Sequence, residues 1–96
     1  MDRQTTLDLL AEHKAHLGCI FGVVSLALFG STARGTATAA SDVDVLVSFD
    51  GPATSARYFG VQFYLEDLLG CRVDLVTEKA LRPELRSYVE QEAVRV

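Results

Sequence analysis

The chain has 96 residues, of which 49% are hydrophobic and 23% charged, with a net charge of −4. The apolar fraction excludes intrinsic disorder, and seven Gly with two Pro are too few for a low-complexity chain. The acidic balance argues against general nucleic-acid binding, which needs clustered Lys and Arg to neutralise phosphates.

The length fits one domain over residues 1–96, with little room for a separate substrate-binding domain. If the chain is an enzyme, much of its substrate recognition has to come from elsewhere. Cys19 and Cys71 are far apart and lack metal-ligand spacing, so both read as reduced, buried thiols of a reducing compartment. The start, Met1-Asp2-Arg3-Gln4, has no basic or apolar leader pattern. The most apolar stretch, Ile20 to Phe29, is broken by Gly22 and Ser25 and is too short to span a bilayer. A soluble, cytoplasmic protein with no membrane association is expected.

From the N-terminus, Leu7, Leu10, Ala11 and Leu17 recur at helical spacing, which predicts a helix over 5–17. Thr5 or Thr6 is the expected cap, and Gly18 the expected stop. Val23 to Phe29 is a short, Val-containing apolar run and reads as a buried strand. Gly30 and Gly35 frame a turn or helical start, and 36–41 reads as a loop. Asp42 to Phe49 is the second strand, followed by the turn signal Asp50-Gly51-Pro52.

Thr54 to Leu69 reads as a helix whose stripe is Tyr58, Val61, Leu65 and Leu68, with Phe59 and Phe63 on a neighbouring face that widens it, for core packing by default or for a partner or self-association as the alternative. Gly70 follows its end, and 72–76 is the third strand. Pro83 to Ala93 is the last helix, with Pro83 in its first turn, Arg82 a poor cap, and Leu85, Tyr88 and Val89 on one face. The expected fold is α/β (α+β), a three-stranded mixed sheet backed by about four helices. If the second and third strands are parallel, the helix between them makes a right-handed crossover.

Three features carry chemistry. Asp42 and Asp44 stand two apart on a strand, so both carboxylates share one face while Val43 and Val45 take the other. Paired like charges in an apolar strand call for a cation, and a hard divalent ion with oxygen ligands and substrate phosphates fits. The bland alternative is a solvated strand end. Asp74 repeats the pattern inside Val73-Asp74-Leu75-Val76. Beside the first pair it makes three carboxylates, enough for two divalent ions roughly 3.5–4 Å apart, the arrangement for in-line phosphoryl transfer. In that arrangement Asp74 takes the proton of the attacking hydroxyl; its bland alternative is an ion pair with an Arg. Gly30-Ser31 between a strand and a helical start exposes N–H groups and a hydroxyl to phosphate. Arg34 either reaches a triphosphate or pins the loop to a carboxylate.

Taken together, Leu28-Phe29-Gly30-Ser31-Thr32-Ala33-Arg34-Gly35, Ser41-Asp42-Val43-Asp44-Val45-Leu46-Val47 and Val73-Asp74-Leu75-Val76-Thr77 resemble the minimal nucleotidyltransferases of the DNA polymerase β-like superfamily. The resemblance covers nearly the whole chain and implies the nucleotidyltransferase fold. It implies triphosphate contacts at Gly30 and Ser31, with metal-binding carboxylates at Asp42 and Asp44 and the third at Asp74. ATP is then the substrate and Mg²⁺ the cofactor, in a two-ion site. Short chains of this kind are similar to antitoxins that transfer AMP to a tyrosine of an all-helical HEPN-type toxin. The partner then brings the acceptor that a short chain lacks.

Two other readings compete: a non-catalytic module that neutralises its partner by complex formation, and a transferase acting on a small molecule. Base preference, acceptor and oligomeric state, with itself or its partner, are left open by the sequence. His13 and His16, three apart, read as solvated helix residues rather than metal ligands. Tyr58, Tyr64 and Tyr88 are weak candidates for stacking on a base. Arg82, Arg86 and Arg95 read as solvated surface, with contact to an acidic partner as the alternative.

Overall fold

The computed structural model describes residues 2–38 and 42–96, so Ala39, Ala40 and Ser41 of the loop and motif above lie outside the described residues. The elements run α1 (Arg3–Phe21), β1 (Val23–Phe29), α2 (Gly30–Arg34), β2 (Val43–Phe49), α3 (Ser55–Leu69), β3 (Val73–Thr77), a 3-10 turn (Glu78–Ala80), α4 (Pro83–Glu92) and β4 (Val94–Arg95). The sheet has four strands, not three, in the order β3-β2-β1-β4. It is mixed: β1 is antiparallel to β2 and β4, and β2 is parallel to β3.

Alternation along the strands divides the sheet into two faces. Leu26 and Leu28 of β1, Val43, Val45 and Val47 of β2, and Val73 and Leu75 of β3 are buried on one face. Against them pack Leu10 and Leu17 of α1 and Val61, Leu65 and Leu69 of α3, one contiguous apolar cluster. Each fully buried Leu or Val contributes about 1.5–3 kcal/mol relative to exposure. Gly60 lets α1 and α3 approach closely: a Cβ there would lie 2.3 Å from the Phe21 ring.

Caps set the helix ends. Asp2 caps α1 by accepting from the Thr5 N–H at 2.7 Å, in place of the expected Thr5 or Thr6. Thr6 is instead buried, its hydroxyl donating to the Asp2 carbonyl. The helix runs past Gly18 and stops at Gly22, which takes the left-handed conformation. Thr54 and Gly70 close α3 as expected.

Expectations about burial fail for the phenylalanines of α3 and for both cysteines. Phe59 and Phe63 are 49% and 63% exposed, because the core-facing stripe of α3 is Val61, Leu65 and Leu69. Leu85 and Tyr88 of α4 are likewise exposed, at 48% and 70%, and that helix buries no residue. Both cysteines are free, but Cys19 is exposed and Cys71 half-buried, not buried as expected. Among the described residues no helix is long and apolar enough to cross a membrane.

Candidate active site

The face of the sheet turned away from α1 and α3 carries the carboxylates. Val43 and Val45 fill the core, so the intervening Asp44 projects from the opposite side, half-buried. Parallel pairing sets Asp44 directly beside Asp74, while antiparallel pairing sets Phe29 on its other flank. The bond from the Val43 N–H to the Arg72 carbonyl, 3.0 Å, fixes the start of β2 against β3. Asp42 lies just before β2 and, like Asp74, is exposed.

Gly30 follows Phe29 and brings the turn onto this pair. Its φ is +73°, and a Cβ on it would sit 2.0 Å from Asp44 Oδ2. No other residue type fits there without moving the carboxylate. Ser31 and Arg34 follow within α2, which Gly35 closes. The Ser31 carbonyl accepts from the Thr36 N–H at 2.9 Å, tying the helix to the segment that follows. Of the two roles expected for Arg34, the structure shows the second: it pairs with Glu92 at 2.6 Å and ties α2 to α4. Arg3 adds a bond from Nε to the Ala33 carbonyl, 3.1 Å.

Electrostatics confirm how crowded the carboxylates are. Asp44 is pushed up to about 6, first by burial, then by the charge of Asp74 and the bond that protonated Asp44 makes to Asp74, then by Asp42; Arg34 pulls the other way. The ion pair considered for Asp74 is not seen. The pairs among the described residues are Arg34–Glu92, Arg57–Asp50 and Arg95–Glu78. Among the described residues, no three His, Cys, Asp or Glu side chains close into a ready metal cluster. Asp44 and Asp74 therefore present a pair, with the exposed Asp42 close enough to act on Asp44 by its charge.

This donor set fits a divalent cation. Its atoms are hard carboxylate oxygens, their mutual repulsion already favours a bound positive charge, and a glycine leaves the approach open. A shallow cavity lined by Val47, Phe49, Gly51, Thr77 and Lys79 lies at the other ends of β2 and β3, away from the carboxylates.

Some side chains behave differently from expectation. His13 is not simply solvated: its Nδ1 lies 2.6 Å from the Tyr64 hydroxyl, a pairing between α1 and α3 that helical periodicity alone does not show. Tyr58 donates its hydroxyl to the Leu75 carbonyl. Tyr58 and Tyr64 belong to α3, on the face opposite the carboxylates. Arg95 pairs with Glu78, and Arg86 donates to the Glu78 carbonyl, so two of the three C-terminal arginines brace the 3-10 turn.

A mixed sheet with a glycine-serine turn folded onto strand-borne carboxylates defines a domain suited to moving phosphate-bearing groups. Comparison with known proteins makes this specific. The nucleotidyltransferase domain model matches residues 10–96. The protein adenylyltransferase MntA of Thermococcus cleftensis is 41% identical over 89 residues, 93% of this chain and 90% of the relative. A solved structure provisionally described as a minimal nucleotidyltransferase is 41% identical with a TM-score of 0.84, covering 100% of this chain and 97% of that one. A chain from the solved complex of tri-AMPylated Shewanella oneidensis HEPN toxin with MNT antitoxin shares the fold, with a TM-score of 0.69 at 18% identity, over 97% of this chain and 70% of that one. The chain belongs to the nucleotidyltransferase domain family, and its relatives include named protein adenylyltransferases.

Proposed function

We propose that this nucleotidyltransferase transfers AMP from ATP to a tyrosine hydroxyl of a cognate HEPN-type toxin and acts as its antitoxin in the cytoplasm. The observation that carries the reading is Asp44, held between the Gly30 turn and Asp74. The relative named MntA and the fold shared with an MNT antitoxin point the same way.

In this reading Asp42, Asp44 and Asp74 hold Mg²⁺, which when bound neutralises the triphosphate and the charge that builds up during transfer. Gly30 keeps the turn open to the phosphates, and Ser31 donates its hydroxyl to them. Asp74, exposed beside Asp44, takes the proton of the incoming hydroxyl. The acceptor oxygen bonds to the α-phosphorus, the bond from that phosphorus to the bridging oxygen breaks, and pyrophosphate leaves. Arg34 keeps α2 in place through Glu92.

The test is intact mass of the product of the neighbouring gene, or of another HEPN-type protein, after incubation with this protein, Mg²⁺ and ATP. One or more added AMP masses, lost with Asp44→Asn, is the expected result. A tight complex with no added mass overturns it in favour of neutralisation by binding alone.

A further inference from the structure

We propose that Tyr64 is a self-modification site, its phenolic oxygen accepting AMP at the carboxylate site of a second copy of this chain while His13 takes its proton. The inference rests on the adenylyl-transfer reading above. It begins from a difference among the three tyrosines. Tyr58 spends its hydroxyl on the Leu75 carbonyl, which cannot take a proton. Tyr88 is 70% exposed on α4 and is joined to no base among the described residues. Tyr64 Oη lies 2.6 Å from His13 Nδ1, within the range of a nucleophile and its general base.

With the ring proton on Nε2, His13 Nδ1 accepts the hydroxyl hydrogen, the tautomer that a general base requires. The tyrosine ring is held edge-on to His13, with centroids 5.7 Å apart, and His16 stands 5.8 Å away. Tyr64 also lines an open groove with Asp67 and Leu68, so an incoming molecule reaches this side of α3.

The geometry requires a second copy. Neighbours of Tyr64 along α3, Val61 and Leu65, pack onto the face of the sheet formed by Val43, Val45 and Val47. Asp44 and Asp74 project from the other face, so the sheet separates a chain's own Tyr64 from its own carboxylates. Asp42 and Asp74 are exposed, and a side chain on another molecule's surface can approach them. In the transfer, Tyr64 Oη bonds to the α-phosphorus of ATP bound by the second copy, the bridging bond breaks, pyrophosphate leaves, and the phenolic proton passes to His13 Nδ1.

The experiment uses the full chain with Mg²⁺ and ATP labelled at the α-phosphate, followed by intact mass and peptide mapping. One AMP is expected on Tyr64, absent in Tyr64→Phe and retained in Tyr88→Phe. Tagged Asp44→Asn should acquire label only when mixed with untagged wild type. His13→Ala should label at least tenfold more slowly while modifying the HEPN-type toxin at the wild-type rate. Peptide mapping of the wild type decides the site even if Tyr64→Phe folds poorly. Label on another residue, an unlabelled tagged acceptor beside labelled wild type, or full self-labelling in His13→Ala overturns the proposal. Transfer to the toxin with none to this chain overturns it and leaves the antitoxin reading standing. No transfer to either overturns both.

Discussion

Asp44 has Asp74 beside it in the parallel register and Asp42 two residues before it, and its proton affinity reflects that company. Its carboxyl is raised from 3.8 to about 6, so between those values the folded chain holds more proton than the unfolded one. The contribution of Asp44 to stability therefore falls as pH rises from about 4 to about 6 and levels off above that. Asp44→Asn removes the penalty. Urea denaturation should find the variant more stable than wild type at pH 7, by about 1 kcal/mol once solvent screening is allowed for, with no difference at pH 3.5. The same variant should lose AMP transfer by at least about 10²-fold, because one ligand to the ion that stabilises the transferring phosphate is gone. Addition of Mg²⁺ should raise the thermal midpoint of wild type at pH 7 and leave that of Asp44→Asn nearly unchanged. An equal rise in both would place the ion elsewhere.

At the scale of elements, the site depends on how β1 hands over to α2. Gly30→Ala meets both a positive φ and a carboxylate oxygen 2.0 Å from the new Cβ, and should cost about 1–3 kcal/mol in denaturation along with most of the activity. Glu92→Gln tests a different joint. The Arg34–Glu92 pair is well exposed, 51% and 35% at its two side chains, so its loss should change stability by less than about 0.5 kcal/mol. A larger loss would mean that α4 depends on this single pair. Much of this layer was legible beforehand. Val23–Phe29 matches its predicted bounds, and α3 begins one residue late because Thr54 is its cap. The Asp-x-Asp spacing predicts which face of β2 carries Asp44, but the strand begins at Val43, so Asp42 lies before it rather than on it. The end of the N-terminal helix is not legible because Gly18 and Gly22 are equally good stop signals in sequence; only the fold shows that Gly22 takes the left-handed turn. Strand β4 escaped because two residues, Val94 and Arg95, contain no alternation to read; β1 beside them creates the strand. The exposure of Phe59 and Phe63 was hidden for a related reason, since hydrophobicity marks a face as apolar without saying whether another element covers it.

Across the whole molecule, stability is unevenly distributed. The core joins α1, α3 and three strands, whereas α4 buries no residue and is tied down by surface bonds and the short β4 pairing. Native-state hydrogen exchange should therefore show the amides of α4 exchanging through local opening, several kcal/mol below the protection of β2, which only global unfolding releases. Equal protection in both would show that α4 unfolds with the rest. The central strand has one more consequence. Along β2, core and site alternate residue by residue: Val43, Asp44, Val45. A slip of one residue in its pairing would turn Asp44 toward α1 and α3 and leave the valines facing solvent. Such a misaligned chain would have to bury a carboxylate in the apolar layer and could not persist as a stable but inactive isomer. The packing of the interior thereby rejects every single-residue slip of β2, and with it the commonest way of turning Asp44 away from Asp74, so folding itself acts as a quality control on the site.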